Sequence, residues 1–310
     1  MTVWMRTLLG ASVVAVAAAS SPAGAVEAGL SPWAKGFAGF MSGFGPPEPG
    51  LYTSDIYYHF DGAANAEVRN GIAEFDVKIG VDVNFLAATY VTDIKILGGQ
   101  YSFGGAIGWA WANLSADISA LDRNFHVALD NNAFGDSIWN PATLAWHDGN
   151  LNWTLGLWIY APTGFYQRGQ LSLGKNIWAA MPEFAITYFD PKSGWDISGA
   201  FVYTTMSNND ATDYQSGDIV NLDWAIGKHF GAQWEAGIAG NVVNQITGDS
   251  GSGARLGSFR EYSLGLGPSV SYSTKFGTTP VSFSAKWERD LDTTNTFRGD
   301  VVTLSASAVF

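Results

Sequence analysis

The chain has 310 residues, 28 of them acidic and 16 basic, for a net charge of −12 and no cysteine at all. An acidic balance of that size excludes the basic patches on which nucleic-acid recognition depends. The absence of cysteine excludes disulfides and fits an exported domain held together by packing and its strand ladder.

The first 25 residues, MTVWMRTLLGASVVAVAAASSPAGA, have one charge at Arg6, an apolar run from about Leu8 to Ala19, and a small-residue Ala23-Gly24-Ala25 end. That layout predicts a secretory signal peptide over 1–25, cleaved before Val26. The run is too short for a spanning helix, which needs about 20 apolar residues, and no later run is long enough either. Any membrane crossing must then be made by strands.

Residues 26–50 follow another pattern. Leu30, Trp33, Ala34, Phe37, Phe40, Met41 and Phe44 fall near helical spacing before Pro46-Pro47, although several glycines oppose a helix. Two readings are open for this segment: a loosely ordered periplasmic tail, or a plug in the barrel lumen or its periplasmic mouth, with Trp33, Phe37, Phe40, Met41 and Phe44 as its apolar surface.

From residue 51 to 310 the chain alternates apolar and polar residues, the signature of strands with two unlike faces. FDVKIGVDVNF (75–85) sets Val77, Ile79, Val81 and Val83 against Asp76, Lys78, Asp82 and Asn84, and LNWTLGLWIYA (151–161) repeats the rule. About twelve strands are predicted, near 51–60, 72–91, 100–118, 137–147, 151–161, 177–189, 195–205, 216–229, 233–244, 259–273, 280–289 and 297–310.

The connections sort into two kinds. Short turn-forming stretches such as 147–150, 190–194, 230–232 and 275–279 alternate with longer polar ones at 61–71, 119–136, 162–176 and 245–257. An even strand count with this asymmetry predicts an all-β fold, a transmembrane antiparallel β-barrel of the bacterial outer-membrane type. Its apolar face would meet the outer-membrane lipids, with Tyr58, Trp109, Trp178, Trp195 and Trp234 among the girdle aromatics. The polar face would then line the lumen with Asp55, His59, Asp76, Lys78, Asp82, Asn84, Asn152, Glu183, Asn221, Asp223, Glu235, Glu261, Lys286 and Glu288. So acidic a lining favours neutral or cationic solutes over anions.

The final strand, VVTLSASAVF, ends on Phe310. A terminal aromatic on an alternating strand is similar to the sorting signal read by the outer-membrane barrel assembly machinery.

Several motifs are spread from the first predicted strand to the tenth: GPPEPGLY (45–52), TYVTDIKILGGQYSFG (89–104), FGD (134–136), WIYAPTGFY (158–166), YQSGD (214–218) and NQITGD (244–249). In order and spacing they resemble the meta-pathway phenol degradation-like barrels, a family of outer-membrane transporters for aromatic compounds. The resemblance implies a barrel that takes up small, largely hydrophobic or aromatic molecules, with APTGFY and YQSGD as loop-shaping or entrance residues. It implies no catalytic residues.

Enzymatic signatures are weak. GDSGSG (248–253) looks like a serine-protease stretch but lies in a Gly/Ser-rich predicted loop. The four histidines have no metal-ligand spacing, and DNNAFGD (130–136) lacks the acid that a calcium loop needs, having Pro141 at that place. Neither cofactor nor metal is expected, and the leading expectation is a channel or transporter rather than an enzyme. Two alternatives stand beside it: a barrel enzyme using a histidine such as His59 with Asp55 or Asp61 as its base, and a structural barrel without a conducting pore.

Overall fold

A computed structural model describes residues 27, 31–68, 73–120, 123–255 and 257–310. The predicted signal peptide, 1–25, lies outside the described residues.

The described residues form thirteen antiparallel strands: β1 (Gly50–Val68), β2 (Ala73–Ile96), β3 (Gly99–Ala120), β4 (Arg123–Phe134), β5 (Ser137–Asp148), β6 (Leu151–Ala161), β7 (Ala179–Asp190), β8 (Trp195–Met206), β9 (Ile219–Phe230), β10 (Trp234–Gln245), β11 (Tyr262–Phe276), β12 (Thr279–Thr294) and β13 (Arg298–Val309). Strand β1 pairs with both β2 and β13, which closes the sheet. The closed ring holds twelve strands, because β3 pairs directly with β5 and carries β4 on the rest of its edge. The predicted connection 119–136 is thus mostly strand. The junction lies where Gly135 N–H donates to Gly108 O (2.9 Å), above the last β3–β5 pair, Ala106 and Ile138.

The two ends differ. Five tight turns join strands at one end, each with a left-handed glycine such as Gly149 (φ 60°) or Gly277 (φ 63°). The connections 162–178, 207–218 and 246–261 lie at the other end. In barrels of this class the tight turns are periplasmic and the long loops external. The predicted loop 61–71 is strand as far as Val68, and β1 to β4 project beyond the ring at the long-loop end.

Alternation fixes the two surfaces. Leu155, Phe184, Phe201 and Leu222 are direct neighbours across β6 to β9, and all are exposed, forming an outward apolar row. Trp178, Trp195 and Trp234 are exposed on the wall. The opposite parity, including Thr187, Asp196, Asp223, Lys286 and Asp290, reaches the N-terminal segment and defines the interior.

Strands β1 and β2 reverse the predicted assignment. Tyr58, Phe60, Val77, Ile79 and Val81 are buried together with Ala112, Ala116, Phe297 and Val301. Tyr58 is therefore an interior residue, not a girdle one. Asp55, His59, Asp76, Lys78, Asp82 and Asn84 have the outward parity instead of lining the lumen. The physical reason is that an alternating strand looks the same to lipid and to water. Around Asp76 and Lys78 the upper parts of β1 to β4 stand above the ring, where an apolar inner face packs on itself and a charged outer face is solvated; Asp55 and Asn84 lie lower, on the ring itself.

Candidate functional site

Residues 31–49 run through the interior as a series of turns rather than a helix. Glycines at 36, 39, 43 and 45, followed by two prolines, deny it helical continuity. Its backbone groups are satisfied by barrel side chains instead. Asp223 accepts from Gly36 N–H (3.2 Å) and Ala38 N–H (2.9 Å), and Asp196 Oδ2 accepts from Met41 N–H (2.9 Å). Thr187 Oγ1 accepts from Gly43 N–H at 2.9 Å. Lys286 donates to the carbonyls of Gly36 and Ala38, and Lys35 Nζ lies 2.5 Å from Asp290 Oδ2.

Space is as tight as the polar contacts. A Cβ on Gly36 would collide with the Glu288 carboxylate, and the residue's φ of 65° is left-handed. Trp33 is buried and sits edge-on to Phe37 (5.8 Å between centroids) and Trp158 (6.0 Å). Phe37 meets Phe85 at 6.2 Å, and Phe44 lies 5.0 Å from the His147 ring near the tight-turn end. Phe40 lies against Gly227, while Met41, half-buried, takes a left-handed φ of 56°.

The segment spans the barrel's length. Gly50 opens β1 at the tight-turn end, whereas the Glu27 carboxylate bonds Asn209 (2.8 Å) and Thr212 (2.7 Å) in the loop 207–218 at the other.

Of the sequence-predicted polar residues, Asn152, Glu183, Asn221, Asp223, Glu235, Lys286 and Glu288 have interior parity. Glu261 is buried just before β11, beneath the long loops. The Glu183 carboxylate accepts from Trp158 Nε1 (2.7 Å), and Glu288 accepts from Asn241 Nδ2 (3.1 Å). Asn221 is fully buried, and neither amide atom has a hydrogen-bond partner among the described residues. Sequence reasoning missed Asp196, Asp290, Thr187 and Lys35 as anchors. Asp290 could have been found, since it stands two residues beyond Glu288 on the same face.

At the long-loop rim the family-like motifs form two pairs. Asp136, of FGD, accepts from Gly164 N–H (2.7 Å) and Lys175 N–H (2.6 Å), tying down the loop that begins with APTGFY. Asp249, of NQITGD, accepts from Gly217 N–H (3.0 Å) and the Tyr214 hydroxyl (2.5 Å) of YQSGD. Burial raises Asp249 above its ordinary range and lowers the Lys175 amine below its own. Asp213 behaves oppositely: hydrogen bonds from Ser252 hold it below 3.8.

The histidines offer little chemistry. His59 Nδ1 meets Asp82 Oδ1 at 2.8 Å, His126 meets Asp117 at 2.7 Å and His229 meets Glu235 at 3.3 Å. No serine hydroxyl bonds any of them among the described residues, nor is there a His/Cys/Asp/Glu group able to hold a metal.

No curated protein matches the chain. Among solved structures, it is similar to the COG4313 outer membrane channel from Pseudomonas putida F1, at 16% identity and a TM-score of 0.65, over 86% of this chain and 97% of that one. A looser likeness reaches the transport unit of the autotransporter AIDA-I from Escherichia coli, at 9% identity and a TM-score of 0.44, over 85% of this chain and 91% of that one. The likeness to the Pseudomonas putida channel shows the fold alone, a barrel of the bacterial outer-membrane type. The sequence pattern of the family described as "Putative MetA-pathway of phenol degradation" matches residues 60–306, and the chain belongs to that family.

Proposed function

We propose that this protein is a bacterial outer-membrane channel for the uptake of small, largely hydrophobic or aromatic molecules, with residues 31–49 as an internal gate. The observation that carries this reading is the dual character of the interior. Aromatic rings of Trp33, Phe37, Phe85 and Trp158 offer apolar contact, while a few acidic anchors hold an otherwise irregular segment. A segment held by a handful of hydrogen bonds can be displaced by a ligand that competes for the aromatic surface.

The family's description, and the likeness to an outer membrane channel of Pseudomonas putida, support the same reading. Phe310, exposed and paired through its backbone with Leu51, is the group that the barrel assembly machinery would read.

The test is solute flux into liposomes containing the refolded protein, comparing phenol-like aromatics with sugars and amino acids of similar size. Saturable uptake of aromatics alone is expected, and deletion of 31–45 should turn it into general leakage. Equal permeation of all solutes through the intact protein would defeat the selective reading.

A further inference from the structure

One feature of the outer wall is at odds with a lipid-facing surface. Asp55 has outward parity on β1, next to Leu86 of β2 and Ala306 of β13. It stands four residues above Leu51, about 13 Å along the strand and roughly 10 Å along the axis at the usual tilt, inside an apolar band about 25 Å tall. Leu86, Phe283 and Leu304 around it are exposed, as residues facing lipid should be. A carboxylate there is unfavourable, because acyl chains donate no hydrogen bonds.

Asn84 Nδ2 donates to Asp55 Oδ1 at 2.6 Å, which holds the carboxylate in place. Oδ2 accepts no hydrogen bond among the described residues. The same position is hollow. A cavity of about 360 Å³ is lined by Thr53, Asp55, Leu86, Val281, Ala306 and Ala308, among others. These six of the nine lining residues share the outward parity, while Ser54, Ala87 and Ser307 have the inward one; with Asp55 and Leu86 exposed, the outward majority puts the mouth of the hollow on the exterior of the barrel.

We propose that this hollow is a binding site for a small hydroxylated aromatic dissolved in the membrane, its ring among Leu86, Val281 and the two alanines and its hydroxyl donating to Asp55. The occupant is specified by chemistry. It must carry an apolar body to reside at that depth and one donor to satisfy Oδ2. A sugar fails the first requirement and an unsubstituted arene the second. The volume admits one substituted ring with room to spare. The choice of a phenol-like occupant rests on the reading of the channel's solutes given above.

The experiment is fluorine NMR on the protein in lipid nanodiscs, with 4-fluorophenol as probe and fluorobenzene as the ring without a donor. A saturable shift for 4-fluorophenol is expected, with at least tenfold weaker binding in Asp55→Leu and in Ala306→Leu, which fills the hollow and keeps the carboxylate. Fluorobenzene should partition alike in all three. Because both substitutions face lipid with larger apolar groups, the barrel should still fold, and heat-modifiable mobility checks that.

Absence of a saturable shift, or one unchanged in Asp55→Leu, would overturn the site. So would an Asp55-dependent dimer in sedimentation, which would assign the hollow to a second barrel. Liposome flux separates this idea from the channel reading: binding lost with flux intact sinks the hollow alone, and flux absent with binding intact sinks the channel alone.

Discussion

Asp223 on β9 accepts two backbone hydrogen bonds from a segment more than 180 residues earlier, Gly36 N–H and Ala38 N–H, and so holds the middle of residues 31–49 inside the barrel. A hydrogen bond to a charged group contributes about 1.5–3 kcal/mol. Asp223→Ala should therefore raise the displaced population of the segment roughly tenfold or more. Planar-bilayer recordings should register this as longer and larger openings, with Asp290→Ala, which strips Lys35 of its partner, acting in the same direction. Unchanged openings in both variants would remove the gate.

The interior should favour cations. Asp196, Asp223, Glu235, Glu288 and Asp290 are buried there against Lys35 and Lys286. Rings of one charge sign select the opposite ion. Reversal potentials across a salt gradient should report cation preference, reduced in the combined Asp223→Asn, Glu288→Gln variant. Anion preference in the wild type would contradict the lining.

The rim pairs can be probed one at a time. Asp136→Ala removes the acceptor shared by Gly164 N–H and Lys175 N–H, a local loss of about 2–4 kcal/mol. Limited proteolysis should then cut within 162–176 while the barrel resists. Gly164→Ala should give the same cut by another route, since its Cβ would lie 2.5 Å from the Gly135 carbonyl carbon. These two residues belong to motifs 28 positions apart that meet only in the folded chain.

Acid should loosen the contact that Asp213 makes with Ser252 between the loops 207–218 and 246–261. Hydrogen bonds from Ser252 depress Asp213, so its contribution is fully present above 3.8 and is lost as pH falls through the lower folded value. The protection factor of Ser252 N–H, which donates to Asp213 Oδ2 (3.0 Å), should fall in that window once intrinsic exchange is corrected for pH, and should show no such step in Asp213→Asn.

Much of the barrel was legible because period-two alternation and turn chemistry are local. From β5 onward Asn152, Asn221, Asp223 and Glu288 stand on the interior parity. Three things were not local. The extra strand β4 reads as a polar loop because it pairs with only part of β3 and both its faces are mixed. Asp196 and Thr187 gain meaning only when Met41 and Gly43 arrive from the far end of the chain. Finally, the faces of β1 and β2 depend on height above the membrane, which the pattern does not encode.

That reversal is open to a direct check. With Lys78 exposed and Ile79 buried in the cluster around Phe60, adjacent residues of one strand should react oppositely. In intact cells a cysteine at Lys78 should be labelled by a membrane-impermeant maleimide, and one at Ile79 should be protected. No native thiol competes, because the chain has no cysteine. Labelling at Ile79 with protection at Lys78 would restore the opposite orientation. It would also move Asp82 and Asn84, two and three residue pairs further down β2, back to the lumen, and take the Asp55 hollow off the lipid-facing wall, since register ties Asp55 to the same face.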